Sequence, residues 1–170
     1  MKRVIRKNTF ETNSSSTHAI CICTDKRLLE DVKYPNHLYF GIGEHGWEFE
    51  TLSTPEDKAN YLYTAILELY EKDYSEKINV IFEWLGDIGC ESEFEKPIWH
   101  KSDNWMWLKN GGIDHYDQTK NFVEAVLRNK KLLLNYLFSD NSFVDKGNDN
   151  SYMSVGIEED YDHKEFYKWN

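Results

Sequence analysis

Hydrophobic and polar positions change period several times along the chain, and each change marks an element. Ala19 to Cys23 is apolar at every position. In an extended chain Ala19, Cys21 and Cys23 share one face and Ile20 and Ile22 the other, so the run reads as a central strand covered on both sides. His18 falls on the isoleucine face at the strand's entry. Lys2–Ile5 reads as a short edge strand or arm, and Asp25–Asp31 as a helical turn. Two further apolar runs, His37–Ile42 and Trp47–Leu52, flank Gly43-Glu44-His45-Gly46 and predict a hairpin. In the second arm Trp47, Phe49 and Thr51 alternate with Glu48 and Glu50.

The period then lengthens to that of a helix. Ser53 or Thr54 supplies a cap, Pro55 takes the first helical position, and Glu56 and Asp57 suit the positive end of the helix dipole. Ala59, Leu62, Ile66, Leu69 and Tyr70 follow as one stripe. Ser75 caps a second helix with the stripe Ile78, Ile81, Phe82, Leu85 and Ile88, ended by Gly86 and Gly89. Periodicity is lost from Cys90 to Gly112, where Glu91, Glu93 and Glu95 alternate around Phe94 as the exposed side of an edge strand. Asp117 or Thr119 opens a third helix bearing Phe122, Val123, Val126 and Leu127. A fourth carries Leu132, Leu133, Tyr136 and Leu137 and stops at Asp140-Asn141. Ser142–Val144 and Tyr152–Val155 read as strands around the turn Asp145–Asn150. These elements predict a single α+β domain over residues 1–170, an antiparallel sheet packed against helical pairs.

Composition narrows the setting. At 170 residues, with 40% hydrophobic and 15% aromatic side chains, the chain can bury a core of its own. No apolar run approaches the ~20 residues of a spanning helix, and no apolar segment follows the basic start in the manner of a secretory signal. Three cysteines cannot make a disulfide framework, which points to a reducing, cytoplasmic location. The net charge is -10 and unevenly spread. Residues 1–33 carry seven basic and four acidic side chains, whereas residues 34–75 carry two basic and eight acidic. Such a chain is repelled by nucleic-acid phosphates and by anionic membranes, and suits a basic protein partner or simple solubility.

Two sets of residues are candidates for chemistry. Ahead of the central strand stand Glu11, Thr12, Asn13, Ser14, Ser15, Ser16 and Thr17, then His18. Their hydroxyls and main-chain N–H groups are the ingredients of an anion-binding nest, with His18 as a donor or base. The glycines of a phosphate-wrapping loop are missing, and so is the strand–turn–helix setting of a nucleophile elbow. A turn whose side chains satisfy their own backbone explains the stretch equally well. The second set is acidic: Glu48 and Glu50; Glu91, Glu93 and Glu95; Glu158, Glu159, Asp160 and Asp162. Acids two apart on a strand face one way, as on a solvated surface. They also make a track of negative charge suited to a basic groove, with Trp99, Trp105, Trp107 or Trp169 as aromatic anchors. The six histidines and three cysteines show no zinc spacing. Asp145, Asn148, Asp149 and Asn150 around Gly147 lack the ligand series of a calcium loop. No metal or other cofactor is expected.

The stretch Arg6–Ile20, above all Phe10-Glu11-Thr12-Asn13-Ser14-Ser15-Ser16-Thr17-His18, resembles the N-terminus of a group of small uncharacterised proteins of phages, prophages and other mobile elements of Gram-positive bacteria. The turn Gly147-Asn148-Asp149-Asn150 is a second echo. The resemblance carries no activity and no catalytic residue. It implies an accessory protein that interferes with or tunes host machinery. Sequence therefore favours an acidic, non-enzymatic binding protein that docks on a basic host protein, such as a nucleic-acid enzyme of host defence. The alternative is a small nucleotide- or phosphate-binding protein or enzyme using Asn13–Ser16 and His18.

Overall fold

Residue Ala19 begins the strand on which the main sheet is built. In the computed structural model, residues 18–24, 33–46, 50–102, 106–114, 116–146, 156–159 and 165–169 are described. The expected elements at Lys2–Ile5, Asp25–Asp31 and Tyr152–Val155, and the turn residues 147–150, lie outside them. Strand β1 (Ala19–Thr24) is the middle member of a five-stranded sheet ordered β10-β11-β1-β9-β4. Its neighbours are β11 (Glu165–Trp169), with Ile22 opposite Tyr167, and β9 (Phe143–Lys146), with Ile20 opposite Val144. Strand β10 (Gly156–Glu159) pairs with β11, and β4 (Glu50–Leu52) closes the other edge beside β9. Every pairing in this sheet is antiparallel. Ala19 to Cys23 are all buried, as a strand covered on both faces requires. No disulfide joins Cys21, Cys23 and Cys90, all of them buried.

Among the described residues four α-helices follow the predicted order: α1 (Pro55–Tyr70), α2 (Tyr74–Gly86), α3 (Lys120–Arg128) and α4 (Lys130–Phe138). Thr54 is the cap of α1, its hydroxyl accepting from Asp57 N at 3.1 Å, with Pro55 in the first turn. The single stripe expected of α1 understates its burial. Lys58, Ala59 and all positions from Tyr61 to Leu67 are buried, while Leu69 and Tyr70 are only half-buried. This helix is enclosed by β2 (His37–Phe40), β8 (Gly112–Ile113), α2, α3 and α4, so apolar side chains are needed on nearly every side. Helix α2 begins at Tyr74, not after Ser75. It buries Ile81 and Leu85 but leaves Phe82, expected in its stripe, 58% exposed. Gly89, at φ +75, completes the turn that follows, a conformation that favours glycine.

The expected hairpin of His37–Ile42 with Trp47–Leu52 does not form. Strand β2 (His37–Phe40) pairs in parallel with β5 (Glu91–Phe94), reached only after α1 and α2. Strand β3 (Glu44–His45), inside the supposed turn, pairs in parallel with β8 (Gly112–Ile113), and β4 joins the main sheet. Strand β9 carries the expected Ser142–Val144 strand on through Asp145 and Lys146, residues expected in the turn, and lies between β1 and β4. Parallel pairs need a long crossover, here the α1–α2 hairpin, and local turn signals carry no information about it. The remaining ribbon joins β6 (Trp99–Lys101) and β7 (Met106–Leu108).

Candidate partner-binding face

Helix α1 fixes the surface elements through polar side chains spaced four residues apart. Asn60 Oδ1 accepts from Gly41 N at 2.6 Å, and Thr64 Oγ1 accepts from Gly43 N at 3.1 Å. Glu68 Oε2 accepts from Ile113 N at 2.7 Å. Two loop amides and one of β8 are thereby satisfied from one helix face, which ties the end of β2 and β8 to the core. Tyr63 extends the same logic, donating its hydroxyl to Glu95 O at 2.7 Å just beyond β5. Buried Lys58 holds the other end, its ammonium donating to Ser139 O and Ser142 O at 2.9 and 3.2 Å. Burial lowers the pKa of Lys58 from 10.5 to about 8, against the attraction of Asp140 and Asp57.

Held in this way, β2 and β5 present two unlike faces. Leu38 and Phe40 are buried, with Phe94 stacked on Phe40 at 4.6 Å between ring centroids. On the outer face His37 lies opposite Glu91 and Tyr39 opposite Glu93. His37 Nε2 is 3.4 Å from Glu93 Oε2, an exposed contact worth little by itself. Tyr39 is 40% exposed. Desolvation, then the carboxylates of Glu95 and Glu93, raise the pKa of its phenol. Residues 95–98 link this ribbon to β6, where Ile98 is 55% and Trp107 49% exposed. Trp107 stacks on His100 across the β6–β7 ribbon, at 5.5 Å and 28°. Exposed acids thus lie on β5, and exposed aromatic or aliphatic side chains on β2, on the link and on β7.

The candidate acids do not share one location. Glu91 and Glu93 are exposed on β5, whereas Glu95 is half-buried and its Oε2 accepts from Ile42 N at 2.8 Å. Glu50 belongs to the main sheet and pairs with Lys146 Nζ at 2.7 Å. Lys146 is 4% exposed, so Glu50 neutralises a buried ammonium. Glu158 and Glu159 lie on β10, opposite Phe166 and Glu165. Glu48, Asp160 and Asp162 lie outside the described residues. Of the proposed anchors, Trp107 is exposed, Trp99 packs half-buried on the core, and the backbone of Trp169 pairs with Ile20. Trp105 is outside the described residues. Tyr39, which sequence reasoning passed over, had one available signal: its alternation with buried Leu38 and Phe40.

The first candidate set is represented by His18 alone, since Glu11, Thr12, Asn13, Ser14, Ser15, Ser16 and Thr17 lie outside the described residues. His18 is buried, and its Nδ1 is 2.9 Å from the Tyr61 hydroxyl. The ring of His45 packs edge-on against Tyr61 at 5.0 Å. Burial, then the positive charge of Lys146 and of His18, lowers the pKa of His45 to about 3, so it stays neutral. Among the described residues no group of His, Cys, Asp and Glu could hold a metal ion, and no helix is long and apolar enough to cross a membrane. No protein-family model matches the chain, and no curated protein or solved structure shows significant similarity to it.

Proposed function

We propose that the protein is a non-enzymatic binding module that docks the outer face of β2 and β5, with the neighbouring β6–β7 ribbon, onto a basic protein. The observation that carries this reading is the exposed Tyr39 ring opposite Glu93, with exposed Glu91 on the same strand. An aromatic ring supplies buried area at small entropic cost, and the acids around it steer and orient a cationic partner. The net charge of -10 disfavours nucleic acid as a direct ligand. The resemblance to mobile-element proteins of Gram-positive bacteria supports a partner in the host, such as a nucleic-acid enzyme whose basic channel this face would occupy.

The test is capture from a Gram-positive bacterial lysate, comparing wild type with Tyr39→Ala and Glu93→Lys. The expected result is a basic partner retained by wild type at about 50 mM salt and lost at about 300 mM, where charges are screened within a few ångströms. Both variants release it. Capture indifferent to ionic strength, or equal for the variants, contradicts the proposal.

A further inference from the structure

The register of β2 and β5 identifies which main-chain groups the ribbon leaves over. Glu91 N donates to Asn36 O at 2.8 Å, and Glu95 N donates to Phe40 O at 2.9 Å. In a parallel pair alternate residues of each strand face the partner. Residues 91, 93 and 95 therefore turn their N–H and C=O groups towards β2, and Ser92 and Phe94 turn theirs the opposite way. Among the described residues the sheet has only these two strands, and no third strand covers that side. Among the described residues no hydrogen bond reaches the main chain of Ser92 or Phe94 from there. Neither residue is fully buried.

An open edge of this kind is a template for another strand, and proteins normally blunt it with charge. Here the charge has one sign. Glu91 and Glu93 are exposed along the edge strand, and no lysine or arginine interrupts Glu91–Phe94. A second copy of this chain pairing edge to edge would set glutamate beside glutamate, which is unfavourable. A strand with Lys or Arg at alternate positions would set the Cβ of each cationic side chain about 5 Å from the Cβ of a glutamate, within reach of an ion pair. Its intervening side chains would fall beside Ser92 and Phe94, so small or apolar residues suit them.

We infer that the outer edge of β5 accepts an extended, Lys/Arg-rich segment of the partner as a third strand, hydrogen-bonded to Ser92 and Phe94 and charge-matched to Glu91 and Glu93. This rests on the docking face proposed above and adds the form in which the partner is held. Such strand addition takes affinity from main-chain bonds and specificity from alternate side chains.

The experiment measures fluorescence anisotropy of the full chain with an alternating Lys-Val peptide of about eight residues, long enough for one strand. Two N-methylated forms of that peptide, each modified on one alternate set of amides, keep the charge but lose one row of donors. A folded basic protein serves as a second probe. The expected result is that one N-methylated form loses about tenfold or more in affinity while the other matches the parent. Glu91→Lys/Glu93→Lys, with both sites exposed, abolishes binding of all forms. If the two N-methylated forms behave alike, strand addition is overturned. If the peptide fails but the folded basic protein binds and releases on the double substitution, strand addition falls and the acidic docking face stands. If neither probe binds, or if the double variant binds both as wild type does, both fall.

Discussion

Glu68 offers the sharpest physical test of how α1 holds the surface. Burial raises its carboxyl pKa from 4.5 to about 7, and the hydrogen bond from Ile113 N–H only partly opposes this. Below the lower value the folded and unfolded states are both protonated and the site is neutral to stability. Between the two values the folded chain keeps a proton that the unfolded chain has released, so stability falls as pH rises. Above about 7 the full cost of holding a charged carboxylate is present. At ~1.4 kcal/mol per pH unit the interval caps that cost near ~3.4 kcal/mol. Glu68 keeps some contact with solvent, and screening reduces the figure to ~1–2 kcal/mol. Glu68→Gln removes the charge while its amide oxygen still accepts from Ile113 N. Urea unfolding of both proteins at about pH 5, 6, 7 and 8 measures the difference. The variant is expected to match wild type at the acid end and to gain ~1–2 kcal/mol at the alkaline end. A difference independent of pH, or a variant less stable at about pH 8, refutes the reasoning.

Five further substitutions probe other parts of the fold by the same unfolding assay. Gly111→Ala places a Cβ in overlap with Ile42 Cγ2 and 2.9 Å from Gly43 O, whereas Gly46→Ala meets nothing within 4 Å. The first is expected to cost ~1–3 kcal/mol, the overpacking range, and clearly more than the second. Glu50→Ala strands the buried Lys146 ammonium and is expected to cost ~3 kcal/mol; Lys146→Met leaves only an exposed carboxylate and costs less. Reversal of that order contradicts the ion pair's assigned role. Tyr61→Phe removes the hydroxyl that meets His18 Nδ1, with an expected loss of ~1–2 kcal/mol; no loss shows that this contact contributes nothing.

The parts legible in the sequence were those governed by local chemistry. An unbroken apolar run marked β1 as the sheet's centre. Thr54-Pro55-Glu56-Asp57 marked the start of α1, because capping and dipole effects act within one turn. The α+β class and the sequence of four helices followed from the same patterns. Strand pairing was not legible, because it joins residues far apart in the chain. Gly43-Glu44-His45-Gly46 has the composition of a hairpin turn, yet Glu44 and His45 pair with Gly112 and Ile113. Asn60, Thr64 and Glu68 show their four-residue spacing openly, but the amides they serve, two in a loop and one in β8, are brought up only by folding. The acids looked equivalent as text. In space Glu50 neutralises Lys146, Glu95 binds an amide, and Glu91 and Glu93 remain turned outward.

The central claim concerns where a cationic partner sits, and hydrogen–deuterium exchange of the full chain with and without the folded basic protein locates it directly. Slowed exchange is expected across residues 37–40 and 91–95, with weaker protection over 98–101 and 106–108, and none in α3. Binding that protects the main sheet or the α3–α4 pair while leaving 91–95 unchanged would contradict the account.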